Sequence, residues 1–293
     1  MRAQAEALRS LPGLEVDLLE FEPGRANLAA GVSKIRKRLR AGGGVDLVHA
    51  HYGLTGLAAR LAGASPLVVT FHGTDVRHPT VGALSRRLAR RVALSAAVSR
   101  SLFGPGAEGR PGLPPCRGRA VLPCGADLAR FGPAARSDAR AALGLDPHGR
   151  YLFFPADPGR AVKRHERAAR VAEAVNAQLI VAKGIEPEQM PDRFNAASAT
   201  LVTSDDEGFG LAAVESLACG VPVISTPVGI APSLLAGLDG CAALPFSVEP
   251  WADLAASHLD AEDPRVEGGP EAASRYSAAR MAERVAVAYE AIP

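Results

Sequence analysis

Short β-rich apolar runs alternate with amphipathic helical stretches along almost the whole chain, and this alternation restricts the fold more than any other feature. Strands separated by helices return to the same edge of a sheet by crossover, so they pair in parallel and are covered on both faces. The first series of strand candidates is 14–19, 45–49, 67–71, 96–99 and 120–122, with helices between the first four. A loop rich in Pro and Gly at 104–115 and a break at Phe131-Gly132-Pro133 interrupt the pattern. A short helix at 137–143 then leads to a second series, 151–155, 178–182, 199–203, 222–225 and 241–244, with helices at 162–175, 209–219, 230–235 and 250–259. With 293 residues, 47% of them apolar, the chain can bury two cores. The expectation is α/β throughout, with one domain at 1–133 and a second at 134–276. The last helix, 277–291, has no obvious place in the second sheet. The opening helix, 2–11, has no strand ahead of it, although a βαβ unit would place one there. A late start, or a fragment, is the expected reason.

Composition narrows the function classes. No run of about 18 apolar residues appears, and the start Met1-Arg2-Ala3-Gln4-Ala5-Glu6 lacks the apolar core of a secretory signal. A cytoplasmic protein is expected. Cys116, Cys124, Cys219 and Cys241 form no C-x-x-C pair, so neither zinc nor a disulfide framework is indicated, and no D-x-D metal motif stands out. The net charge of +2 hides an asymmetry: residues 1–145 carry 21 Lys and Arg against 10 Asp and Glu, and the remainder 12 against 21. Much of the excess lies in Lys34-Ile35-Arg36-Lys37-Arg38-Leu39-Arg40 and in Arg86, Arg87, Arg90 and Arg91. One reading is a solvated arginine-rich face. The other is a surface that approaches anionic lipid, at the inner face of a membrane, or an anionic acceptor. Nucleic acid is disfavoured, because aromatic residues are only 5% and none interleave with the basic runs.

The most informative segment is 199–228. A strand runs into Ser204-Asp205-Asp206-Glu207-Gly208-Phe209-Gly210 and then into a helix that begins near Leu211 and ends near Cys219-Gly220. In a parallel sheet, a strand's carboxyl end meeting a helix N-terminus is where ligands bind. The glycines let backbone N–H groups approach a phosphate or a sugar hydroxyl, and the helix dipole favours negative charge there. Glu207 and Glu215 flank the turn, eight residues apart. Taken singly, Glu207 reads as a helix cap and Glu215 as a solvated helix residue. Gly208-Phe209-Gly210-Leu211-Ala212-Ala213 also fits the dinucleotide pattern G-x-G-x-x-A. Against a dehydrogenase, acidic residues crowd the turn, and the next strand ends without the acid that would hold a ribose. Another loop, this one cationic, follows the strand at 151–155, with Arg160, Lys163 and Arg164 in Asp157-Pro158-Gly159-Arg160-Ala161-Val162-Lys163-Arg164-His165. Cations at a helix N-terminus oppose the dipole, which favours a ligand role over a bare basic helix start.

Together with Gly220-Val221-Pro222-Val223-Ile224-Ser225-Thr226-Pro227-Val228-Gly229, the segment resembles the donor-binding signature of glycosyltransferase family 4: E-x7-E from Glu207 to Glu215, Gly-Phe-Gly between, and a strand and glycine turn after it. The resemblance implies a GT-B fold, two Rossmann-like domains facing across a cleft, with the last helix, 277–293, packing back on the first. It implies a retaining transferase that takes a sugar from a nucleotide-sugar donor, with no cofactor and no bound metal. Glu207 would take hydroxyls of the transferred sugar, and Glu215 the ribose. Gly208, Phe209, Gly210 and Leu211 would line the donor site. Arg160 and Lys163 would stabilise the diphosphate, although family members commonly space the pair five residues apart and here the spacing is three; Arg164 is the substitute. In the first domain the strand at 67–71 ends in His72-Gly73-Thr74-Asp75, and similar enzymes place a His there beside the transferred sugar. His49 and His51 end the neighbouring strand, where lining an acceptor pocket and packing a core are both open. Pro123-Cys124-Gly125-Ala126-Asp127 resembles the family's segment ahead of the interdomain linker, with Cys124 where Asn is commoner.

The expected acceptor is a lipid-linked or cell-envelope glycan. The first strand and its glycine loop, which in similar enzymes touch donor phosphates and acceptor, have no counterpart ahead of residue 2. Two alternatives follow. A catalytically impaired nucleotide-sugar-binding partner subunit would bind donor without turning it over, and a sugar-nucleotide epimerase on the same fold would need carboxylates from both domains.

Overall fold

A computed structural model describes residues 2–292 except 23, 25 and 43. Met1 and Pro293, the outermost residues of the expected first domain and last helix, lie outside the described residues. The chain divides into two compact units, Met1–Gly125 with Ala278–Pro293, and Ala126–Ser277. This division falls just ahead of the Phe131-Gly132-Pro133 break and assigns the C-terminal helix, Ala278–Glu290, to the first unit.

The first unit holds a four-stranded parallel sheet in the order β1-β2-β3-β4, formed by Val48–His51, Leu67–Phe71, Leu94–Ala97 and Arg119–Val121. Its helices are α1 (Arg2–Arg9), α2 (Leu28–Arg40), α3 (Gly53–Ala62), α4 (Thr74–Arg77) and α5 (Gly82–Ala89). β2 is buried along its whole length, as a strand covered on both faces must be. On one face Val69 packs under α3, close enough that Gly56 cannot carry a Cβ without meeting the Val69 side chain at 2.7 Å. On the other, Ala96 and Leu122 bury against Leu8 of α1 and Met281, Ala282 and Val285 of the C-terminal helix. Residues 14–19, expected as a strand, form none. Leu14 and Val16 do pack into that cluster, but the carbonyl of Val16 accepts from Arg9 Nε at 3.0 Å rather than from a strand. The alternation that suggested a strand is real burial alternation without a ladder partner.

The second unit opens with α6 (Arg136–Ala142) and builds a five-stranded parallel sheet in the order β6-β5-β7-β8-β9. The strands are β5 (Tyr151–Phe154), β6 (Gln178–Val181), β7 (Ala199–Val202), β8 (Val223–Ser225) and β9 (Ala242–Ala243). Helices α7 (His165–Ala174), α8 (Met190–Ala196), α9 (Leu211–Ala218), α10 (Ala231–Leu234), α11 (Val248–Asp260) and α12 (Gly269–Ser274) surround it. One face buries Leu152, Phe154, Leu201 and Ile224 under α7 and α11, with Trp251 fully enclosed and its indole N–H donated to the Pro245 carbonyl at 3.2 Å. β6 and β7 leave β5 on opposite sides, so the winding reverses between β5 and β7 and opens a crevice at their carboxyl ends. The helix expected at 162–175 is broken. A short 3-10 turn, Ala161–Lys163, is followed by Arg164 at φ +54°, and only then does α7 begin.

Candidate active site

The two loops that follow β5 and β7 meet at this reversal. Lys163 Nζ lies 2.6 Å from Glu207 Oε1, an ion pair in which each side chain is about one-seventh exposed, 15% and 14%. Ser204 Oγ donates to the same oxygen at 2.7 Å. The next residue, Arg164, sends Nε to Asp205 Oδ2 at 2.6 Å, and Arg167 from the first turn of α7 reaches Asp205 Oδ1 at 2.8 Å. Below them, Thr203 Oγ1 donates to the carbonyls of Lys163 and Arg164, and the Asp205 amide donates to the Val162 carbonyl at 2.9 Å. The left-handed turn at Arg164 is thus held from the β7 side, and it aims two successive side chains at two carboxylates. A basic helix start that would oppose its own dipole is instead neutralised by the facing loop.

Gly210, at φ +105°, caps α9, and Leu211 begins it, 37% exposed. Phe209 is buried with its ring edge-on to Tyr276, and its carbonyl accepts from the Ile230 amide at 2.8 Å. Gly229 stands against this turn at φ +57°; a Cβ there would sit 2.1 Å from the Phe209 carbonyl oxygen and 3.2 Å from Glu207 Cβ. Gly208 completes the exposed side of the turn. Glu215, on α9, is half-buried, and its carboxylate has no hydrogen bond or ion pair among the described residues. Burial raises its pKa from 4.5 to about 7, against a weaker downward pull from Arg130. The two glutamates therefore differ in kind: Glu207 is paired twice over, whereas Glu215 lacks a partner. Arg160, in the same loop as Lys163, is exposed and its side chain touches no acid among the described residues.

The first unit carries a separate polar cluster. His49 and His51 share one face of β1, and in register with them Thr70 of β2 and the following His72 extend the same face. His49 bonds Tyr289 of the C-terminal helix through Nδ1 and Thr70 through Nε2, both at 2.7 Å. His51 Nδ1 and His72 Nε2 are 3.0 Å apart, and Tyr52 stacks on His72 at 4.3 Å between ring centroids. Burial lowers the pKa of His49 to about 3 and of His72 to about 4, and it lowers that of His51 as well. All three imidazoles are neutral at pH 7. Asp75 is buried and accepts from the amides of Gly53, His72 and Gly73 at 2.9 to 3.0 Å, so it fixes the loop rather than facing a ligand. Burial raises its pKa, against those hydrogen bonds.

Sequence reading singled out Glu207, Lys163 and Arg164 without pairing them, and it assigned no role to Ser204, Arg167 or Tyr289. Ser204-x-x-Glu207 has the capping-box spacing, which was the available signal for Ser204. Arg167 and Tyr289 carried none, since their partners lie far away in sequence.

One parallel sheet whose reversal gathers Glu207 and Asp205 against Lys163, Arg164 and Arg167 at a strand-end crevice, and a second parallel sheet in the other unit, define a two-domain Rossmann-type protein. Residues 3–130 match the family model described as Glycosyltransferase Family 4, and residues 161–275 match that described as Glycosyl transferases group 1. The chain belongs to this family of glycosyltransferases and has the GT-B fold. It is 29% identical over 256 residues to D-inositol 3-phosphate glycosyltransferase 1 of Catenulispora acidiphila, covering 69% of this chain and 61% of that protein. With the enzyme of that name from Mycolicibacterium gilvum it is 32% identical over 254 residues, covering 71% and 57%. The chain thus spans about three-fifths of the curated relatives it matches. Among solved structures, sucrose-phosphate synthase from Thermosynechococcus elongatus superposes with a TM-score of 0.70 at 18% identity, covering 99% of this chain and 91% of that one. HepE of Anabaena, in complex with UDP and glucose, superposes with a TM-score of 0.68 at 17% identity, covering 92% and 84%.

Proposed function

We propose that the protein is a retaining glycosyltransferase that moves a sugar from a nucleotide-sugar donor to a hydroxyl of a phosphate-bearing acceptor. The observation that carries the reading is the Lys163–Glu207 pair at the β5/β7 reversal, with the unpartnered Glu215 on the helix that follows. A donor would exchange these partners: its diphosphate takes Lys163, with Arg160 and Arg164 from the same loop, and its sugar hydroxyls donate to Glu207. The ribose hydroxyls donate to Glu215, whose ionised form they stabilise. Gly208, Phe209, Gly210 and Leu211 supply the close backbone approach and the helix N-terminus.

In the transfer, the bond between the anomeric carbon and the diphosphate oxygen breaks as the acceptor oxygen bonds the same face of that carbon. The hydroxyl proton passes to the departing phosphate oxygen. Negative charge builds on the diphosphate as the bond lengthens, and Lys163 acts there without help from a metal ion. His72, neutral at pH 7, serves as a hydrogen-bonding partner for the substrate and not as a cation. The acceptor chemistry suits the basic first unit, and two sources share it: a small polyol phosphate, of the kind in the names of the relatives, and a lipid-linked or cell-envelope glycan reached at an anionic membrane.

Nucleotide release from UDP-, GDP- and ADP-sugars, with and without inositol phosphate or an isoprenoid-phosphate-linked sugar, tests the reading. Release that Glu207→Ala abolishes and a chelator leaves intact supports it, and the productive acceptor separates the two sources. Donor binding without release in any combination would sink it in favour of a non-catalytic partner.

A further inference from the structure

The three helices α2, α3 and α5 of the first unit contain not one Asp or Glu between them. They are contiguous, since α2 packs on α3 and α3 on α5, so together they make one layer of that unit. Four of the layer's cations are engaged within the protein: Lys34 reaches the Glu20 carbonyl, Arg36 donates to the Leu61 carbonyl at 2.9 Å, Arg86 donates to the Val76 carbonyl at 2.6 Å, and Arg38 pairs with Asp17. Six others, Lys37, Arg40, Arg60, Arg87, Arg90 and Arg91, on these helices or directly after them, are exposed and have no hydrogen bond or ion pair among the described residues. Beside them stand Leu61 and Leu84, 52% and 38% exposed.

A face that is merely solvated mixes both signs of charge, because like charges held together repel and add nothing to stability. Of the carboxylates that flank the layer, Asp17 and Glu20 are taken by Arg38 and Arg2, Asp75 is buried under backbone amides, and Glu22, in the groove with Lys34, and Asp46, in the bend between α2 and β1, lie off the three helices. No aromatic residue lies on these helices to stack a base, which argues against single-stranded nucleic acid. Cations alternating with leucines fit the headgroup region of a bilayer, where the ammonium and guanidinium groups meet phosphates and short apolar side chains enter the boundary with the acyl chains.

We propose that the α2–α3–α5 face docks on an anionic phospholipid surface. The proposal deepens the lipid-linked acceptor reading above, because it would hold the first unit where such an acceptor resides, but its test needs no turnover. The full chain is sedimented with phosphatidylcholine vesicles with and without phosphatidylglycerol. Binding is expected only with phosphatidylglycerol, and it should fall steeply as salt is raised. Neutralising one of the six cations should weaken partitioning about fivefold. The combined Lys37→Gln, Arg40→Gln, Arg87→Gln, Arg90→Gln variant should lose it by more than a hundredfold, with an unchanged melting temperature as the check on folding. Leu61→Ser should weaken binding by a factor that salt does not change.

Equal binding to neutral vesicles, no binding to either, or binding indifferent to the fourfold variant would overturn the proposal. So would a wild-type dimer in light scattering that the fourfold variant dissociates, since the face would then belong to a second copy. Vesicle binding with no donor turnover would leave this surface standing and remove the transferase reading; turnover on a soluble acceptor with no vesicle binding would do the reverse.

Discussion

Glu215→Gln should make the second unit more stable and a worse binder of nucleotide at the same time. The carboxyl sits half-buried on α9 without a partner, and its pKa rises from 4.5 to about 7. Above pH 7 the folded protein holds a carboxylate it would rather protonate, and the full rise corresponds to roughly 3 kcal/mol. Part of the side chain still meets water, which cuts the effect to roughly 2 kcal/mol. The sign follows from linkage. Because the folded value is raised, the group's stabilising contribution is complete below pH 4.5 and is lost as pH climbs through 7. Gln has no such dependence, so the gain of the variant over wild type should be about 0.5 kcal/mol at pH 5 and reach about 2 kcal/mol at pH 8.5, the latter some 4 to 8 °C in the midpoint of a unit this size. Nucleotide works in the opposite sense: ribose hydroxyls donate to the ionised form, so wild-type affinity should rise with pH through 7 and the variant should lose both the affinity and the slope. Urea or thermal unfolding at the two pH values, followed by nucleotide titration, reads both effects. A gain over wild type that is no larger at pH 8.5 than at pH 5 would refute the burial argument, and unchanged nucleotide affinity would remove Glu215 from the site.

Lys163→Ala should lower kcat by on the order of 10² to 10³, as the loss of a positioned charge does, whereas Arg160→Ala, from an exposed side chain without a protein partner, should cost less; equal losses in steady-state assays would contradict that ordering. Gly229→Ala should destabilise the second unit by about 1 to 3 kcal/mol and abolish donor binding, because its Cβ would meet the Phe209 carbonyl at 2.1 Å; a crystal structure or melting curve indistinguishable from wild type would refute it. His49 and His72 have folded pKa values of about 3 and about 4, below the unfolded 6.5, so their stabilising contribution is present above pH 6.5 and is lost as pH falls toward 4. Each should cost about 1 to 2 kcal/mol between pH 7 and pH 5, and His49→Gln should flatten that part of the urea-unfolding profile.

What the sequence made legible follows the range of the interactions involved. β2 and β5 were readable almost to the residue, because a strand buried on both faces is one unbroken apolar run. Residues 14–19 misled because their alternation reflects packing under the C-terminal helix, and nothing local distinguishes such packing from strand pairing. The residues of the proposed donor site were legible as strand ends followed by glycine turns. Their pairing was not: Lys163 and Glu207 are 44 positions apart, and they meet because the chain, after β6, crosses back past β5 to set β7 on its other side. The same holds for His49 and Tyr289, separated by 240 positions, where only the return of the last helix to the first unit supplies the hydroxyl. The reversal of strand order is therefore the step that turns motif into site. It sets one loop's cations against the other loop's carboxylates, and with Lys163 committed to Glu207, the donor proposed above would have to satisfy both halves of that pair. Such a site favours a ligand carrying diphosphate and sugar together over either alone, since each by itself would leave one charge of the pair without its counterpart.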